Sequence, residues 1–317
     1  MSEPFFQAPL NTKQAVLATL AFFDLFDYPL TANEAHRYLF KLEARPEHVR
    51  IALDESKRIE PKGPYYQLFK PDNRDLSTSR EKNEQTSQKL WQKIDRFRWI
   101  FALTPYLRLA AVCNTLAFNN ADEESDIDLL IVAQKNRLFL CRMILTFWMH
   151  ILGIRRHGKK IKGRFCLSFF ITEEALDLSS LQKGPLDLYF AYWLLLLKPV
   201  YGKKEIAEQL MSSNRVWLKN FFATPLPSSN EQLKPVSKFF EFLKFIQEKI
   251  LNTRLGEKLE NRLQKWQIRR AKQKRNAIGI AFDDTAIVIH ENILKFHNID
   301  RREGIYQKWV KKLEEYL

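Results

Sequence analysis

Residues 111–133, AVCNTLAFNNADEESDIDLLIVA, decide how this chain folds. Asp126 and Asp128 stand at the start of an apolar run, and residues 129–132 are apolar at every position. A strand without a polar face is buried in the middle of a sheet. Side chains alternate along a strand, so the two acids share one face, about 6 to 7 Å apart along the backbone. The stretch therefore predicts a central strand with a carboxylate pair at its beginning.

A carboxylate pair in this position is typical of a metal site. Two adjacent carboxylates repel each other, and a divalent cation offsets that repulsion while also binding phosphate oxygens. An Asp-x-Asp in an ordinary loop is usually a solvated turn, but this pair directly precedes a buried strand. We therefore expect Asp126 and Asp128 to hold Mg²⁺ or Mn²⁺.

The neighbouring segments predict a small α/β unit around this strand. LRLAAVCN (107–114) and RFCLSFFIT (164–172) have the pattern of strands, and RLFLCRMILTFWMHIL (137–152) has that of a helix. A turn at Asn114 and Thr115 follows the first strand. The order along the chain is strand, turn, Ser-Asp-x-Asp strand, helix, strand.

This arrangement resembles the nucleotidyltransferase superfamily related to DNA polymerase beta, in its small bacterial and archaeal branch, over residues 107–178. The resemblance implies that Asp126 and Asp128, preceded by Ser125, are the catalytic acids and hold Mg²⁺. It also implies that the turn contacts the phosphates of a nucleotide, with Thr115 and Ser125 positioning the triphosphate.

The turn departs from the family pattern. Where the family has Gly-Ser, this chain has Asn114 and Thr115, and Asn119 replaces a second glycine. Asn is the non-glycine residue that best tolerates positive φ, and Thr keeps a hydroxyl, so we expect the backbone shape to be retained. The Asn114 side chain would occupy space that a phosphate normally approaches.

The family's third carboxylate is unassigned. Its strand, residues 164–172, contains no acid, and the nearest acids are Glu173 and Glu174 at its end. If neither reaches the metal, a general base is missing, and such a loss typically lowers the rate by about 10²–10⁴-fold.

The N-terminal segment, residues 1–75, has the pattern of a winged helix-turn-helix. Helices are predicted from Thr12, from Thr31 and after Pro46, followed by two strands around the turn at 61–64. Such modules read DNA or dock proteins. The helix expected to read DNA, PEHVRIALDES (46–56), is not rich in Lys or Arg, and both roles stay open.

We predict an α+β fold in which two further domains follow the N-terminal segment. Residues 76–178 are expected to form a nucleotidyltransferase domain with a small mixed sheet, and 179–317 an almost wholly helical C-terminal domain. Residues 234–272 read as one long amphipathic helix. The apolar runs 138–154 and 186–200 are interrupted or too short to span a bilayer, so we expect buried helices.

The charge of the chain favours anionic partners. Lys and Arg total 51 against 37 Asp and Glu, a net charge of +14. Residues 234–275 contain thirteen Lys and Arg against four Glu. The segments 155–164 (RRHGKKIKGR) and 264–275 (QKWQIRRAKQKR) are the candidate contacts to nucleic acid, and solvation or the helix dipole explains such clusters equally well.

Other classes are disfavoured. Neither GxGxxG nor GxxxxGK[ST] occurs, and Cys113, Cys141 and Cys166 form no CxxC pair, which argues against a disulfide framework or a zinc site. The start, MSEPFFQAPLNTKQ, lacks a basic region followed by an apolar core. We expect a cytoplasmic location and no membrane partner.

The sequence thus predicts Mg²⁺-dependent transfer of a nucleoside monophosphate from an NTP, with ATP as the expected donor, to an unidentified hydroxyl acceptor. The alternative is a degenerate relative that binds nucleotide or nucleic acid as a regulator or scaffold. An antibiotic- or metabolite-modifying enzyme would need an acidic acceptor pocket, of which this basic chain offers little sign. Base preference and oligomeric state stay open.

Overall fold

The computed structural model of the chain describes residues 10–72, 74–184, 186–223, 233–278, 285–296 and 300–316. As predicted, it is a mixed α+β fold. The α-helices in these ranges are α1 (Thr12–Asp24), α2 (Ala32–Arg37), α3 (Pro46–Glu55), α4 (Ser77–Phe97), α5 (Trp99–Leu103), α6 (Leu138–Ile151), α7 (Leu188–Leu195), α8 (Lys204–Ser213), α9 (Arg215–Leu218), α10 (Lys238–Leu251), α11 (Arg254–Ile278) and α12 (Arg302–Tyr316), and two 3₁₀ helices span Asn114–Phe118 and Ser179–Leu181. The strands are β1 (Leu30–Thr31), β2 (Ile59–Lys62), β3 (Tyr65–Leu68), β4 (Leu107–Val112), β5 (Ile127–Ala133), β6 (Phe165–Thr172), β7 (Lys198–Gly202), β8 (Ile287–Ile289) and β9 (Ile293–Phe296).

Residues 10–72 form α1, α2 and α3 together with an antiparallel sheet in the order β1-β3-β2. The predicted signals act where expected: Thr31 caps α2, and Pro46 occupies the first turn of α3, where its missing N–H costs no hydrogen bond. Asn11, rather than Thr12, caps α1, because the Asn11 side chain accepts a hydrogen bond from the first turn of the helix.

A six-stranded sheet in the order β7-β4-β5-β6-β9-β8 forms the centre of the molecule. β5 and β6 run parallel, and the other neighbouring pairs are antiparallel. Residues 129–133 of β5 are fully buried, as the absence of a polar face predicts. The beginning of β5 is therefore held rigidly by strands on both sides.

The prediction of an almost wholly helical region after residue 178 is wrong. β7, β8 and β9 belong to this region, and all three extend the central sheet: β7 pairs with β4, and β9 pairs with β6. These strands are short, and their partners lie far away in the sequence, so local periodicity does not reveal them.

The amphipathic stretch 234–272 is two helices, not one. α10 ends at Leu251 and α11 begins at Arg254. A Cβ built on Gly256 would lie 1.8 Å from the Leu251 carbonyl oxygen, so the chain turns here only because residue 256 lacks a side chain.

Helix α12 packs against α1. The indole Nε1 of Trp309, on α12, donates a hydrogen bond of 2.9 Å to the carbonyl of Ala18 on α1, and Lys312 forms an ion pair with Asp24. Buried apolar side chains of α1, of the central sheet and of α12 form one continuous core.

The run 138–154 contains the predicted helix, α6, but only one face of it is buried, because Phe147 and Ile151 are 54% and 60% exposed. The run 186–200 contains the buried helix α7 and the beginning of β7. Within the described ranges, no helix combines the length and the apolar character that crossing a membrane requires.

Candidate functional site

Asp126 and Asp128 lie together at the start of β5. Asp126 immediately precedes the strand and Asp128 is its second residue, and both are half-buried. One ligand atom from each carboxylate and the Sγ of Cys166 all lie within 4.8 Å of one another. The structure thus brings the predicted pair together and adds a thiol that the sequence did not single out.

Cys166 occupies the position beside Asp128 on the neighbouring strand. The parallel register of β5 and β6 pairs these two residues directly. Burial, followed by the nearby Asp128 charge, raises the pKa of the Cys166 thiol to about 12, so at neutral pH it is a protonated donor, 3.4 Å from the Ser168 hydroxyl.

The two glutamates at the far end of β6 do not reach the acid pair. Ala133 pairs with Thr172, five residues along the strands from the pair formed by Asp128, a separation of about 17 Å. Glu173 and Glu174 follow Thr172 and contact Lys135 instead. Among the described residues at the site, the third position is therefore held by the Cys166 thiol.

The turn after β4 has the backbone shape that the sequence predicts. Asn114 and Asn119 both have φ of +59°, the left-handed region that glycine adopts readily. The Asn114 amide donates a hydrogen bond of 2.6 Å to Oδ2 of Asp128, and its carbonyl oxygen lies 3.4 Å from the Tyr189 hydroxyl. Asn114 therefore holds the Asp128 carboxylate in place.

Thr115 and Ser125 flank the pair. Both are half-buried and line the same cleft as the acids. The Ser125 hydroxyl donates a hydrogen bond of 2.7 Å to Asp122, which fixes the loop that leads into β5. Ser125 thus has a structural contact in addition to its predicted place near the phosphates.

Arg156 reaches the pair from the basic loop 155–164. Its guanidinium forms an ion pair of 2.6 Å with Oδ2 of Asp126 and lies 3.7 Å from the Cys166 sulfur. The rest of the loop makes contacts of its own; Lys162, for example, pairs with Glu124 at 2.7 Å. The sequence located the basic loop but did not identify which residue meets the acids.

The pKa of the Asp128 carboxyl is raised to about 6, first by burial and then by the Asp126 charge. The hydrogen bond from Asn114 and the Arg156 charge act in the opposite direction. A carboxylate that is costly to ionise is stabilised by a bound cation, which makes the pair a receptive site for one.

A cleft of about 1600 Å³ opens over the acid pair. It exceeds the range of about 300–1,000 Å³ typical of small-ligand pockets. Its basic lining residues are Arg142, Arg155, Arg156, Arg270, Arg275, Lys295, Arg301, Arg302 and Lys308, and its acidic ones are Asp122, Glu124, Asp126, Asp128 and Asp300. The excess of positive charge suits a polyanion.

The predicted basic segment 264–275 lies on α11 and borders this cleft only in part. Trp266, Gln267 and Arg270 line the cleft, whereas Arg269 is exposed and is not among the lining residues. Arg142 of α6 also lines it, and the only signal of this in the sequence was a charge within an otherwise apolar helix.

Comparisons of the chain with models of protein families, with curated proteins and with solved structures found no match.

Proposed function

We propose that this protein is a nucleotidyltransferase that moves a nucleoside monophosphate from an NTP to a hydroxyl acceptor. The observation that carries the proposal is the half-buried pair of Asp126 and Asp128, held by Asn114 in a left-handed turn, at the base of a large basic cleft. The proposal is supported by the order strand, turn and Ser-Asp-x-Asp strand, on which the resemblance to the polymerase-beta-like superfamily rests. The α+β fold is in agreement with this.

The acid pair fits a divalent cation. Two carboxylates converge within 4.8 Å, and hard oxygen ligands are those that Mg²⁺ and Mn²⁺ prefer. When bound, such an ion neutralises charge on the phosphates of the NTP. Asp126 and Asp128 are its ligands in this proposal.

The other residues of the site orient the substrate. Thr115 and the turn after β4 line the cleft beside the acid pair, where the triphosphate is proposed to bind. The Arg156 guanidinium, which pairs with Asp126, is a charged donor at the acid pair for a phosphate oxygen once a nucleotide enters. Because Cys166 replaces the third acid, we expect turnover to be slow, by about 10²–10⁴-fold relative to a site with a general base.

The N-terminal segment is proposed as a winged-helix module that docks a protein. The exposed residues of α3 include Glu47, Asp54 and Glu55 against Arg50, so this face carries more negative than positive charge. A helix that enters a DNA groove needs the opposite balance. In the proposed function, the N-terminal module binds a partner protein and so brings the cleft close to it.

Calorimetric titration of the four NTPs, with and without Mg²⁺, tests the proposed site. The wild-type protein is expected to bind at least one NTP, ATP first among them, only when Mg²⁺ is present. The double variant D126N/D128N is expected to lose this binding, whereas E173Q/E174Q, which removes the same charge at the other end of the sheet, is expected to keep it. Equal binding by both variants, or no binding of any NTP by the wild type, would refute the proposal.

A second function is favoured by one observation, the ion pair of Arg156 with Asp126 beside a protonated thiol. In that case the cleft binds nucleotide and performs no chemistry. Incubation with a Mg²⁺-NTP that binds, followed by measurement of pyrophosphate release in the presence of mixed oligonucleotides, separates the two functions.

A further inference from the structure

Three arginines gather on the β6 side of the cleft. Arg142 comes from α6, Arg155 from the loop that follows it, and Arg270 from α11, and all three line the cleft. No carboxylate among the described residues forms an ion pair with any of them. Like charges assembled without a counter-charge raise the electrostatic energy of the free protein, and a bound anion offsets that cost.

Arg142 shows that this cluster is built into the fold. Its guanidinium lies 5.7 Å from the ring centre of Phe170 and 5.1 Å from that of Phe296, and it donates a hydrogen bond of 2.6 Å to Gln267. Its Nε is buried and has no hydrogen-bond partner. Burial, then the charges of Arg155 and Arg270, lower the pKa of Arg142 to about 10, so it stays charged at neutral pH.

The cluster lies on the opposite side of the acid pair from the turn. Asn114 and Thr115 follow β4, on one side of β5, whereas the backbone of Arg155 pairs with Phe165 at the start of β6, on the other side. If the nucleotide phosphates occupy the side of the turn, the arginines face the place left for the acceptor.

An exposed aromatic residue accompanies the arginines. Trp266 precedes Arg270 by one helical turn on α11, lines the same cleft and is 53% exposed. The Arg270 guanidinium lies 5.5 Å from the centre of its ring. Arginines that hold phosphates beside an open aromatic ring that stacks on a base are the combination that binds single-stranded nucleic acid.

We infer that Arg142, Arg155, Arg270 and Trp266 bind a single strand of nucleic acid and present its hydroxyl to the acid pair. The role as acceptor rests on the proposed nucleotidyl transfer, but the binding does not. The cleft volume of about 1600 Å³ leaves room for a strand beside a nucleotide.

The test is fluorescence anisotropy with labelled oligo(dT) and oligo(U), without Mg²⁺ or NTP. R270A and R155A are each expected to weaken binding at least several-fold and to reduce the slope of log affinity against log salt by about 0.7. R269A is the matched control, because Arg269 is the exposed neighbour of Arg270 outside the cleft; it is expected to change affinity less than two-fold. Equal losses in R269A and R270A would overturn the inference. Arg270 is exposed and Arg155 half-buried, so these variants replace R142A, which removes a buried side chain and risks misfolding; an unchanged melting temperature of R155A is the check that its fold is intact.

The aromatic contribution is tested separately. W266A is expected to weaken oligonucleotide binding about 10-fold, the effect of one lost base stack, and to leave binding of inorganic polyphosphate unchanged. F245A, on an exposed phenylalanine of α10, is the control and is expected to change neither. Unchanged oligonucleotide affinity in W266A would mean a general polyanion site and would refute single-strand recognition.

These measurements stand apart from the test of the nucleotide site. If no NTP binds but R270A and R155A weaken oligonucleotide binding as expected, the proposed nucleotidyl transfer is refuted and the proposed single-strand site is supported. If Mg²⁺-NTP binding holds but R270A behaves like R269A, the nucleotide site survives and the acceptor is not nucleic acid.

Discussion

The free energy of unfolding is expected to fall as pH rises through the acidic range, because the buried Asp128 carboxyl must then ionise. Replacing Asp128 by Asn is expected to abolish most of this fall. Burial, together with Asp126, raises the pKa of the Asp128 carboxyl from 3.8 to about 6. Between those values the folded state binds more protons than the unfolded state, so the free energy of unfolding falls as pH rises. A shift of about two pKa units corresponds to about 3 kcal/mol, of which about 2 kcal/mol falls between pH 4.5 and 7.5.

Urea unfolding at pH 4.5, 5.5, 6.5 and 7.5 measures this effect. The difference in free energy of unfolding between D128N and the wild type is expected to shift in favour of D128N by about 2 kcal/mol across the series. E81Q, which removes an exposed carboxylate on α4, is expected to run parallel to the wild type. If D128N also runs parallel to the wild type, the Asp128 carboxyl is not perturbed and the reasoning is refuted.

Three further changes probe the same site. R156A removes the guanidinium that pairs with Asp126, so we expect the variant to bind Mn²⁺ several-fold more tightly than the wild type. Calorimetric titration measures the affinity, and weaker binding by R156A would mean that Arg156 supports the metal site. N114A removes the Asp128 hydrogen bond but keeps a Cβ at φ +59°, whereas N114G removes the bond and the Cβ together, so N114A is expected to be about 1 kcal/mol less stable than N114G in urea unfolding. Equal stability would show that the turn is not strained. C166D adds a third carboxylate beside Asp128, and the carboxylates repel each other. The melting temperature of C166D at pH 7 is therefore expected to lie below that of the wild type without Mg²⁺, and to rise more than that of the wild type when Mg²⁺ is added. An equal rise in both proteins would contradict this.

Local signals predicted the elements that position the site. Thr31 and Pro46 mark the starts of their helices, and the unbroken apolar run after Asp128 marks a central strand. The positive φ of Asn114 and Asn119 was also predictable, because few residues other than glycine adopt it readily. In each case neighbouring residues carry the information.

Contacts between distant segments were not predictable in this way. Cys166 meets the acids through the register of β5 and β6, and Arg156 through the path of a loop. β9 is four residues long, and its pairing with β6 and β8 makes it a strand. A single sequence shows only the local propensity of each segment for helix or strand. At β9, Cys166 and Arg156 the structure is decided by contacts with distant segments instead.

The position of β9 in the central sheet bears on how the protein is made. β6 has β5 on one side, and its other edge stays open until residues 293–296 leave the ribosome, more than a hundred residues later. At about 5–20 residues per second, this delay lasts several seconds or longer. During synthesis an apolar strand with unpaired N–H and C=O groups is thus open to pairing with other chains, so we expect the nascent protein to aggregate unless this edge is protected. Expression of residues 76–178 alone would leave that edge open permanently.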